Sequence, residues 1–181
     1  MQKLNIVDEN DVVIGIDTRE NIHKLGLLHR ETNVYFVMPQ KGVIFQRRSI
    51  SKETSAGLLA ATVGGHVEIG DSYIQTAIKE TEEETGLKIK SEDLIFINKT
   101  KQRFKDENTG VTNYRFNSGF LYIFKGRLED LKIELGEGEG FEVFKFEELV
   151  NLSDEEKENF SPNALSYATN TLREFIKDME L

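Results

Sequence analysis

A glycine pair followed by a helix with glutamates crowded on one face constrains this chain more than any other feature. The stretch covers residues 64–87 and reads GGHVEIGDSYIQTAIKETEEETGL. Because each helical residue turns the side-chain direction by about 100°, Glu80, Glu83 and Glu84 share one arc of about 100°. Glu82 points to the far side. Like charges at these spacings repel one another, so the shared face requires either a cation or open solvent.

The neighbouring arc of the same helix is apolar and is predicted to pack against a sheet. Ile74, Ala77 and Ile78 lie on it. The methyl-bearing Thr81 lies beside them, which completes an amphipathic pattern. Hard oxygen ligands next to a glycine loop with accessible carbonyls suit Mg²⁺ or Mn²⁺. From the residues alone, a solvated acidic helix face is the alternative interpretation.

The same stretch resembles the Nudix hydrolase signature, G-x5-E-x7-R-E-U-x-E-E-x-G-U, in which U is an apolar residue. The residues that match it are Gly65, Glu80, Glu83, Glu84, Gly86 and Leu87. Three positions differ, because Asp71 replaces the usual Glu, Lys79 the usual Arg and Thr81 an apolar residue. Lys79 lacks the bidentate fork with which Arg holds an orienting carboxylate. We interpret the stretch as a variant of the signature with Asp71 and Lys79 in supporting roles.

The resemblance implies an α/β fold, namely a Nudix α/β/α sandwich with a mixed β-sheet between helices. It also implies divalent-metal-dependent hydrolysis of a diphosphate linkage by attack of water at phosphorus. The implied ligands of the Mg²⁺ or Mn²⁺ cofactor are Glu80, Glu83, Glu84 and the carbonyl oxygen of Gly65. The general base would be Glu80, Glu83 or a carboxylate from a later loop.

A glycine-spaced acidic stretch near the C-terminal third, GEGEGFEVFKFEEL, supplies candidates for that later carboxylate. It contains Glu137, Glu139 and Glu142 before or within a predicted strand. In many relatives a catalytic or metal-binding glutamate has this position, and we favour Glu139 or Glu142. A plain acidic surface loop is the alternative for each of them.

A second resemblance, over residues 5–87, is to the Nudix branch similar to isopentenyl diphosphate isomerase. In those isomerases an Arg and a Lys four residues later hold the substrate diphosphate, and Arg48 and Lys52 have this spacing. Two cations on a loop after a strand suit phosphate oxygens. The alternative is an exposed basic pair.

The comparison with the isomerases also argues against isomerase activity. Gly64 replaces the isomerase cysteine, the chain has no cysteine, and TNYRFNSGF lacks the later glutamates. Carbon protonation and deprotonation would therefore lack their acid and base. The histidines, His23, His29 and His66, fall near metal-binding histidines of the isomerases. We interpret them as packing or hydrogen-bonding groups, with His66 as the one expected to contact the substrate.

Composition limits the class of protein. The 181 residues, 38% of them hydrophobic, suit one domain over 1–181. The polar N-terminus and the lack of an apolar run of about 18 residues predict a cytoplasmic protein without a membrane span. A net charge of −9 argues against a nucleic acid polymer as partner, but not against a small-molecule diphosphate substrate.

Short strands alternate with a few helices in the predicted organisation. A small N-terminal β-hairpin turns around residues 8–11, and a terminal helix starts at Ser161 and Pro162 and runs to about residue 178. A homodimer through the hairpin or that helix is one expectation. The predicted strands of the main sheet cover 33–39, 42–48, 58–63, 94–104, 114–124 and 141–146.

The group attached to the diphosphate stays open at the level of sequence. A nucleoside diphosphate derivative and a related organic diphosphate, such as an isoprenoid, present the same phosphates. Candidate aromatic residues that could line the site are Phe36, Phe45, Phe104 and Tyr114, and the alternative for each is a place in the core. The hydrolase is the main hypothesis. A weakly active or inactive ligand-sensing module is the alternative, because of the three substituted signature positions, and an isomerase is a third.

Overall fold

A small N-terminal hairpin precedes a larger mixed sheet that lies between helices. The hairpin consists of β1 (Lys3–Val7) and β2 (Val13–Thr18), which pair antiparallel. The side chain of Asp8 caps the turn by accepting two backbone hydrogen bonds. The hairpin expected from the sequence is therefore confirmed. The computed structural model describes residues 2–106, 109–177 and 179.

The larger sheet is organised around its long strand β3, which pairs with three others. β3 runs parallel to β8 on one side and antiparallel to β4 and β6 on the other, and β4 continues to β5 and β9. β7 closes the far edge beside β8. The strands are β3 (Leu28–Met38), β4 (Gly42–Arg48), β5 (Leu59–Ala60), β6 (Val63–His66), β7 (Leu94–Lys105), β8 (Thr112–Ile123) and β9 (Gly138–Phe144).

Helices cover both faces of this sheet, and the sheet separates two apolar cores. One core lies under α2 and includes Val34 and Phe36 of β3. The other includes Tyr35 and Val37 of the same strand and packs against the C-terminal helices. Alternate residues of one strand thus serve opposite layers, which confirms the α/β/α arrangement. The helices are α1 (Arg19–Leu25), α2 (Tyr73–Thr85), α3 (Phe146–Val150), α4 (Asp154–Lys157), α5 (Pro162–Ser166) and α6 (Arg173–Ile176).

Local sequence explains where α2 begins and ends. Ser72 and Gln75 form a reciprocal capping box at its N-terminus. Gly86 ends it with a left-handed φ of 72°, a conformation that glycine adopts at low cost. Ala77 and Thr81 are fully buried on the face that meets the sheet. The apolar arc expected from the sequence is confirmed.

The strand predicted at 58–63 is divided in the structure into β5 and β6. The hydroxyl of Thr62 donates to the carbonyl of Ile44 at 2.5 Å and accepts from the backbone N–H of Phe36 at 2.9 Å. A side chain therefore takes the hydrogen bonds that a regular ladder would make at this point, and the chain bends towards α2. This bend directs the glycines of β6 at the helix.

The C-terminal helical region also differs from the uniform helix that was expected. Ser161 caps α5 with Pro162 in its first turn, as predicted. A π-helical segment, Tyr167–Leu172, separates α5 from α6. The Tyr167 hydroxyl donates to Asn98 Oδ1 at 2.8 Å, directly over Gly119, where a Cβ would overlap the tyrosine. The predicted helix end near residue 178 lies outside the described residues.

Within the described part of the chain, no helix combines the length and the apolar character that crossing a bilayer requires.

Candidate active site

A cleft of about 370 Å³ opens where α1, α2 and the middle of the larger sheet meet. Its floor includes Glu31, Asn33 and Tyr35, alternate residues of β3 that share one face. Gln46 and Arg48 of the neighbouring strand β4 extend this floor. The volume lies within the range of about 300–1,000 Å³ that is common for small-molecule sites.

The three signature glutamates of α2 meet at this cleft, as the helical spacing predicts. Glu83 is exposed, Glu80 half-buried and Glu84 only 3% exposed. Gln46 Nε2 donates to Glu84 Oε2 at 2.9 Å, and the backbone N–H of Gly64 donates to Oε1 at 3.2 Å. These donors orient the Glu84 carboxylate and leave further lone pairs for a ligand.

Gly65 allows β6 to approach α2 closely. A Cβ at this position would overlap the carboxylate group of Glu80. The backbone of β6 therefore lies directly against the acidic face of the helix, where a carbonyl and carboxylates can serve one cation. Glycine is required here for close approach, since its φ is not in the left-handed region.

The electrostatics of the acidic face favour a bound cation. Burial, with the nearby charge of Glu83, raises the pKa of Glu80 to about 7. Burial raises the pKa of Glu84 to about 8. The hydrogen bond from the Gly64 N–H opposes this rise, and the charge of Glu80 adds to it. Carboxylates that share a site hold protons strongly unless a positive charge compensates them. Mg²⁺ and Mn²⁺ fit this oxygen donor set.

The loop that faces α2 contributes carboxylates, although not the two that we favoured from the sequence. Glu134 and Glu137 line the cleft. Burial and the charges of Glu137 and Glu83 raise the pKa of Glu134. Glu139 is exposed, and Glu142 pairs with Arg47 at 2.6 Å instead. The structure does not bring Glu139 or Glu142 to the cleft, because β9 begins at Gly138 and directs them along the sheet.

The predicted basic pair does reach the cleft. Arg48 and Lys52 both line it. Arg48 Nε donates to the carbonyl of Thr54 at 3.2 Å, and Lys52 forms an ion pair with Glu137. Burial lowers the pKa of Arg48, while the charges of Glu137 and Glu84 oppose this shift. Two cations thus stand opposite the acidic helix, which is an arrangement suited to a metal-bound diphosphate.

Two of the three substituted signature positions, Lys79 and Asp71, lie in different surroundings. Lys79 donates to Glu68 Oε2 at 2.5 Å, so its orienting partner is a glutamate of the preceding loop. Asp71 lies just before the Ser72 cap, outside the cleft lining. The structure thus joins Lys79 to Glu68, a residue that the sequence comparison did not single out.

A second group of metal-ligating side chains lies at the other end of the cleft floor. His23, His29, His66 and Glu31 each direct one ligand atom to a common point, with all four atoms within 4.8 Å of one another. His66 Nε2 lies 3.1 Å from His23 Nε2 and 3.2 Å from Glu31 Oε1. We interpreted the histidines as packing groups, whereas the structure gathers them with Glu31 into a set that could hold a metal ion.

Hydrogen bonding fixes part of this histidine cluster. His29 is fully buried, and its Nδ1 donates to the carbonyl of Leu27 at 3.0 Å. His29 Nε2 has no hydrogen-bond partner among the described residues and lies 3.5 Å from Glu31 Oε1. Burial and neighbouring positive charge lower the pKa of His23 to about 4 and of His66 to about 3. Neutral imidazoles of this kind are suited to coordinate a transition metal.

Glu31 is held in place by residues of β8. Arg115 Nη1 donates to Glu31 Oε2 at 2.6 Å, and Asn113 Nδ2 donates to Oε1 at 2.8 Å. Burial opposes ionisation of Glu31, but the charge of Arg115 holds its pKa well below the usual range. Where isomerases carry glutamates on this strand, the chain presents an amide and a guanidinium.

Of the four aromatic residues considered as cleft lining, only Phe104 lies at the cleft. Phe36 and Phe45 are completely buried in the two cores, so the expectation that they line the cleft is wrong. Tyr114 donates its hydroxyl to Glu9 at 2.7 Å, away from the cleft. Phe104 lines the cleft and is 44% exposed.

Sequence reasoning missed Glu31, Glu134 and Gln46. Glu31 gave no clear signal, because it lies in the polar segment HRETN ahead of the apolar part of β3. Gln46 gave a usable one, since a polar residue directly after the apolar VIF of β4 needs a partner when it is buried. Glu134 gave no signal beyond its place in an acidic stretch.

Comparisons with known proteins agree with this geometry. The family model of the NUDIX domain matches residues 27–165. An uncharacterized Nudix hydrolase of Clostridium acetobutylicum is 27% identical over 155 residues, which cover 83% of this chain and 73% of that protein. An isopentenyl-diphosphate Delta-isomerase of Serratia proteamaculans is 34% identical over 85 residues, but these cover only 47% of this chain and 48% of the isomerase.

A solved structure shows the same fold over almost the whole chain. The crystal structure of a Deinococcus radiodurans protein superposes with a TM-score of 0.71 at 20% identity, covering 95% of this chain and 100% of that one. At this identity the likeness concerns the fold alone. Together with the match to the family model and the acidic helix at the cleft, it shows that the chain belongs to the Nudix hydrolase family.

Proposed function

We propose that the chain hydrolyses a diphosphate linkage in a nucleoside diphosphate derivative or a related organic diphosphate, with Mg²⁺ or Mn²⁺ as cofactor. The observation that carries the proposal is the convergence of five carboxylates on one cleft opposite a basic pair. The carboxylates are Glu80, Glu83, Glu84, Glu134 and Glu137. Such a charge distribution suits a cation sandwiched against phosphate oxygens.

In this proposal the residues of the chain have distinct tasks. Glu80, Glu83 and Glu84, with the carbonyl of Gly65, hold the cation, which when bound neutralises phosphate charge and lowers the pKa of a water ligand. Arg48 and Lys52 grip phosphate oxygens from the other side of the cleft. Lys52 must leave Glu137 in part to do so, which frees that carboxylate as the phosphate arrives.

Hydrolysis also needs an acceptor for the proton of the attacking water. Water oxygen bonds to phosphorus, the bridging P–O bond breaks and its electron pair leaves with the departing phosphate. The acceptor is either a glutamate of the signature, Glu80 or Glu83, or a carboxylate of the facing loop, to which we assign Glu137 or Glu134. This replaces the earlier preference for Glu139 and Glu142, which lie outside the cleft.

His66 contacts the cleft from the side of the histidine cluster. Its ring belongs to the set His23, His29, His66 and Glu31, and we propose this set as a second metal position beside the diphosphate. The three imidazoles and one carboxylate are donors that Zn²⁺ and other transition metals accept.

The test is release of phosphate or of a monophosphate from a panel of nucleotide and isoprenoid diphosphates, with and without Mg²⁺ or Mn²⁺. We expect turnover by the native chain and loss of at least about 100-fold in Glu84→Gln, because the charge stabilisation by the metal amounts to several kcal/mol. Glu82→Gln is the matched control. Glu82 belongs to the same helix but pairs with Lys88 in solvent, 3.2 Å away.

The outcomes separate the hypotheses. Equal turnover by Glu84→Gln and the native chain would contradict the proposed site. Absence of turnover together with ligand-induced thermal stabilisation would favour the ligand-sensing module, whose motivation was the substituted signature positions. Allylic isomerisation would support the isomerase, against which the missing cysteine and the β8 residues Asn113 and Arg115 argue.

A homodimer stays a prediction. The hairpin side that was expected to take part in it does expose large apolar side chains next to one another. They are Val12, Val13, Ile14 and Ile16.

A further inference from the structure

One wall of the cleft consists of side chains that have no task in the proposed hydrolysis of the diphosphate. It consists of Gln102 and Phe104 on β7 and Asn113 and Arg115 on β8, which we call the β7–β8 wall. The two strands pair antiparallel, so Gln102 lies opposite Arg115 and Phe104 opposite Asn113. Alternate residues of a strand share a face, which places all four side chains on the same side of the sheet.

Phe104 is an exposed aromatic side chain on this wall. It is 44% exposed and lines the cleft. Phe96, on the same strand, is 54% exposed but packs edge-on against Phe120, with ring centroids 5.8 Å apart, outside the cleft. A bulge between Phe96 and Asn98 shifts the register between these two aromatics. The ring of Phe104 thus offers apolar surface beside a polar site.

Two polar members of the wall, Asn113 and Arg115, have unused hydrogen-bonding capacity. Because Asn113 Nδ2 donates to Glu31, its Oδ1 is an oriented acceptor, and this atom has no hydrogen-bond partner among the described residues. The Nε of Arg115 is likewise a donor without a partner in that part of the chain. Both atoms are buried, and both residues line the cleft. Gln102, in contrast, is already bonded to Thr100 and Arg115. An apolar ligand would leave the Asn113 and Arg115 atoms unpaired, which is costly.

The wall is continuous with the acidic helix. Arg115 donates to Glu31, and Glu31 lies opposite His66 in the pairing of β3 with β6. Gly65, against which Glu80 packs, is the next residue along β6. A ligand whose phosphates lie at the helix can therefore extend along the cleft to the wall.

We propose that the β7–β8 wall binds the nucleoside part of the substrate, with a planar base on Phe104 and a hydrogen bond to Asn113. This rests on the proposed function, because the diphosphate of the same molecule lies at the signature glutamates. A base has a π-face for stacking and polar edges, and a sugar has hydroxyls, so a nucleoside matches both properties of the wall. An isoprenoid chain matches only the phenyl ring.

The experiment measures binding, so that it does not depend on turnover. Calorimetry in the presence of Mg²⁺ compares three monophosphates, AMP, ribose 5-phosphate and geranyl phosphate, on the full chain. We expect the native protein to bind AMP about tenfold more tightly than ribose 5-phosphate, as base stacking on an aromatic ring predicts. Phe104→Ala should lose this preference, and Phe104→Trp should keep it.

Phe96→Ala is the matched control, since it removes an exposed aromatic ring from the same strand outside the cleft. It should bind all three compounds as the native protein does. Equal binding of AMP and ribose 5-phosphate by the native protein, binding of geranyl phosphate more tightly than AMP, or an AMP affinity unchanged in Phe104→Ala would each overturn the proposal. Base-dependent binding without any turnover would instead retain the nucleoside site and contradict the hydrolase.

Discussion

Glu84 shows how a single residue combines a structural and a functional role. Its carboxylate is buried, and it accepts hydrogen bonds from Gln46 and from the backbone of Gly64. These donors attach β4 and β6 to α2 at the cleft. The same burial raises its pKa to about 8, so without a cation the group keeps its proton at neutral pH. A cation would replace that proton.

The raised pKa predicts how stability depends on pH. In the unfolded chain Glu84 has its ordinary pKa of 4.5, whereas in the fold its pKa is about 8. Between these values the folded state binds more protons, so the free energy of unfolding of the metal-free protein falls as pH rises. We expect the melting temperature in a chelator to decrease from about pH 5 to about pH 8, with a smaller decrease in Glu84→Gln.

Adding Mg²⁺ extends the same prediction. Because the metal competes with the proton, its stabilising effect should be larger at the alkaline end of this range and should be reduced in Glu84→Gln. Melting curves at several pH values, with chelator and with Mg²⁺, measure both effects. A melting temperature of the chelated native protein that rises with pH over this range would contradict the assignment.

At the scale of elements, the approach of β6 to α2 creates the candidate metal site. Gly65→Ala should displace the carboxylate of Glu80, since the added Cβ would overlap it. We expect kcat/KM to fall by about 100-fold, as a displacement of about 1 Å at a reacting centre does. The folded state should persist, because the Glu80 side chain can move towards solvent. Steady-state kinetics and melting curves measure the two properties.

Gly140→Ala provides the comparison for that substitution. Gly140 lies in β9, its φ is not left-handed, and an added Cβ would meet nothing within 4 Å. Its activity should stay close to native. If Gly65→Ala were as active as Gly140→Ala, the close contact between β6 and Glu80 would have no role in the reaction.

Elements were predictable wherever local signals specify them. The helix that carries the signature glutamates begins at Tyr73, because Ser72 and Gln75 form a capping box that the sequence interpretation did not use. The break at Thr62 was not predictable, since its hydroxyl bonds to β3 and β4, which are distant in sequence. Tertiary hydrogen bonds, rather than propensity, decide such boundaries.

The same distinction holds for the site in the whole molecule. Glu80, Glu83 and Glu84 follow from helical spacing alone, and all three reach the cleft. Glu31 and Arg115 meet only because β3 and β8 pair in parallel, across a long stretch of intervening chain. Pairing of distant strands has no local signature, so the histidine cluster, and the place of the β7–β8 wall beside it, required the structure.

One aspartate of the N-terminal hairpin bonds to three elements of this assembly. Asp11 Oδ1 accepts from Arg30 Nε at 2.6 Å, and Oδ2 accepts from Lys99 Nζ at 2.8 Å and from the Tyr73 hydroxyl at 3.0 Å. The hairpin is thus tied at once to β3, β7 and α2. The backbone of Asp11 is left-handed, with φ of 63°, which Asp and Asn tolerate better than most residues.

Asp11→Asn should therefore keep the backbone while removing the charge that unites these elements. We expect the free energy of unfolding to fall by about 1–3 kcal/mol, as for other partly buried charged hydrogen bonds. Glu9→Gln, which removes the exposed pairing with Lys101 and Tyr114, should leave it close to native. Although burial opposes it, the hydrogen bonds from Lys99, Arg30 and Tyr73 hold the Asp11 pKa below its ordinary value.

A carboxylate with a lowered pKa stabilises the fold at pH values above its ordinary pKa and ceases to do so as pH falls. The difference in the free energy of unfolding between the native protein and Asp11→Asn should therefore shrink in acid. Urea unfolding at neutral and acidic pH measures this difference. A difference that is absent at neutral pH, or that grows in acid, would show that the hairpin is held by apolar contacts alone. Leu4 and Val7 are the buried hairpin residues that would then account for its attachment.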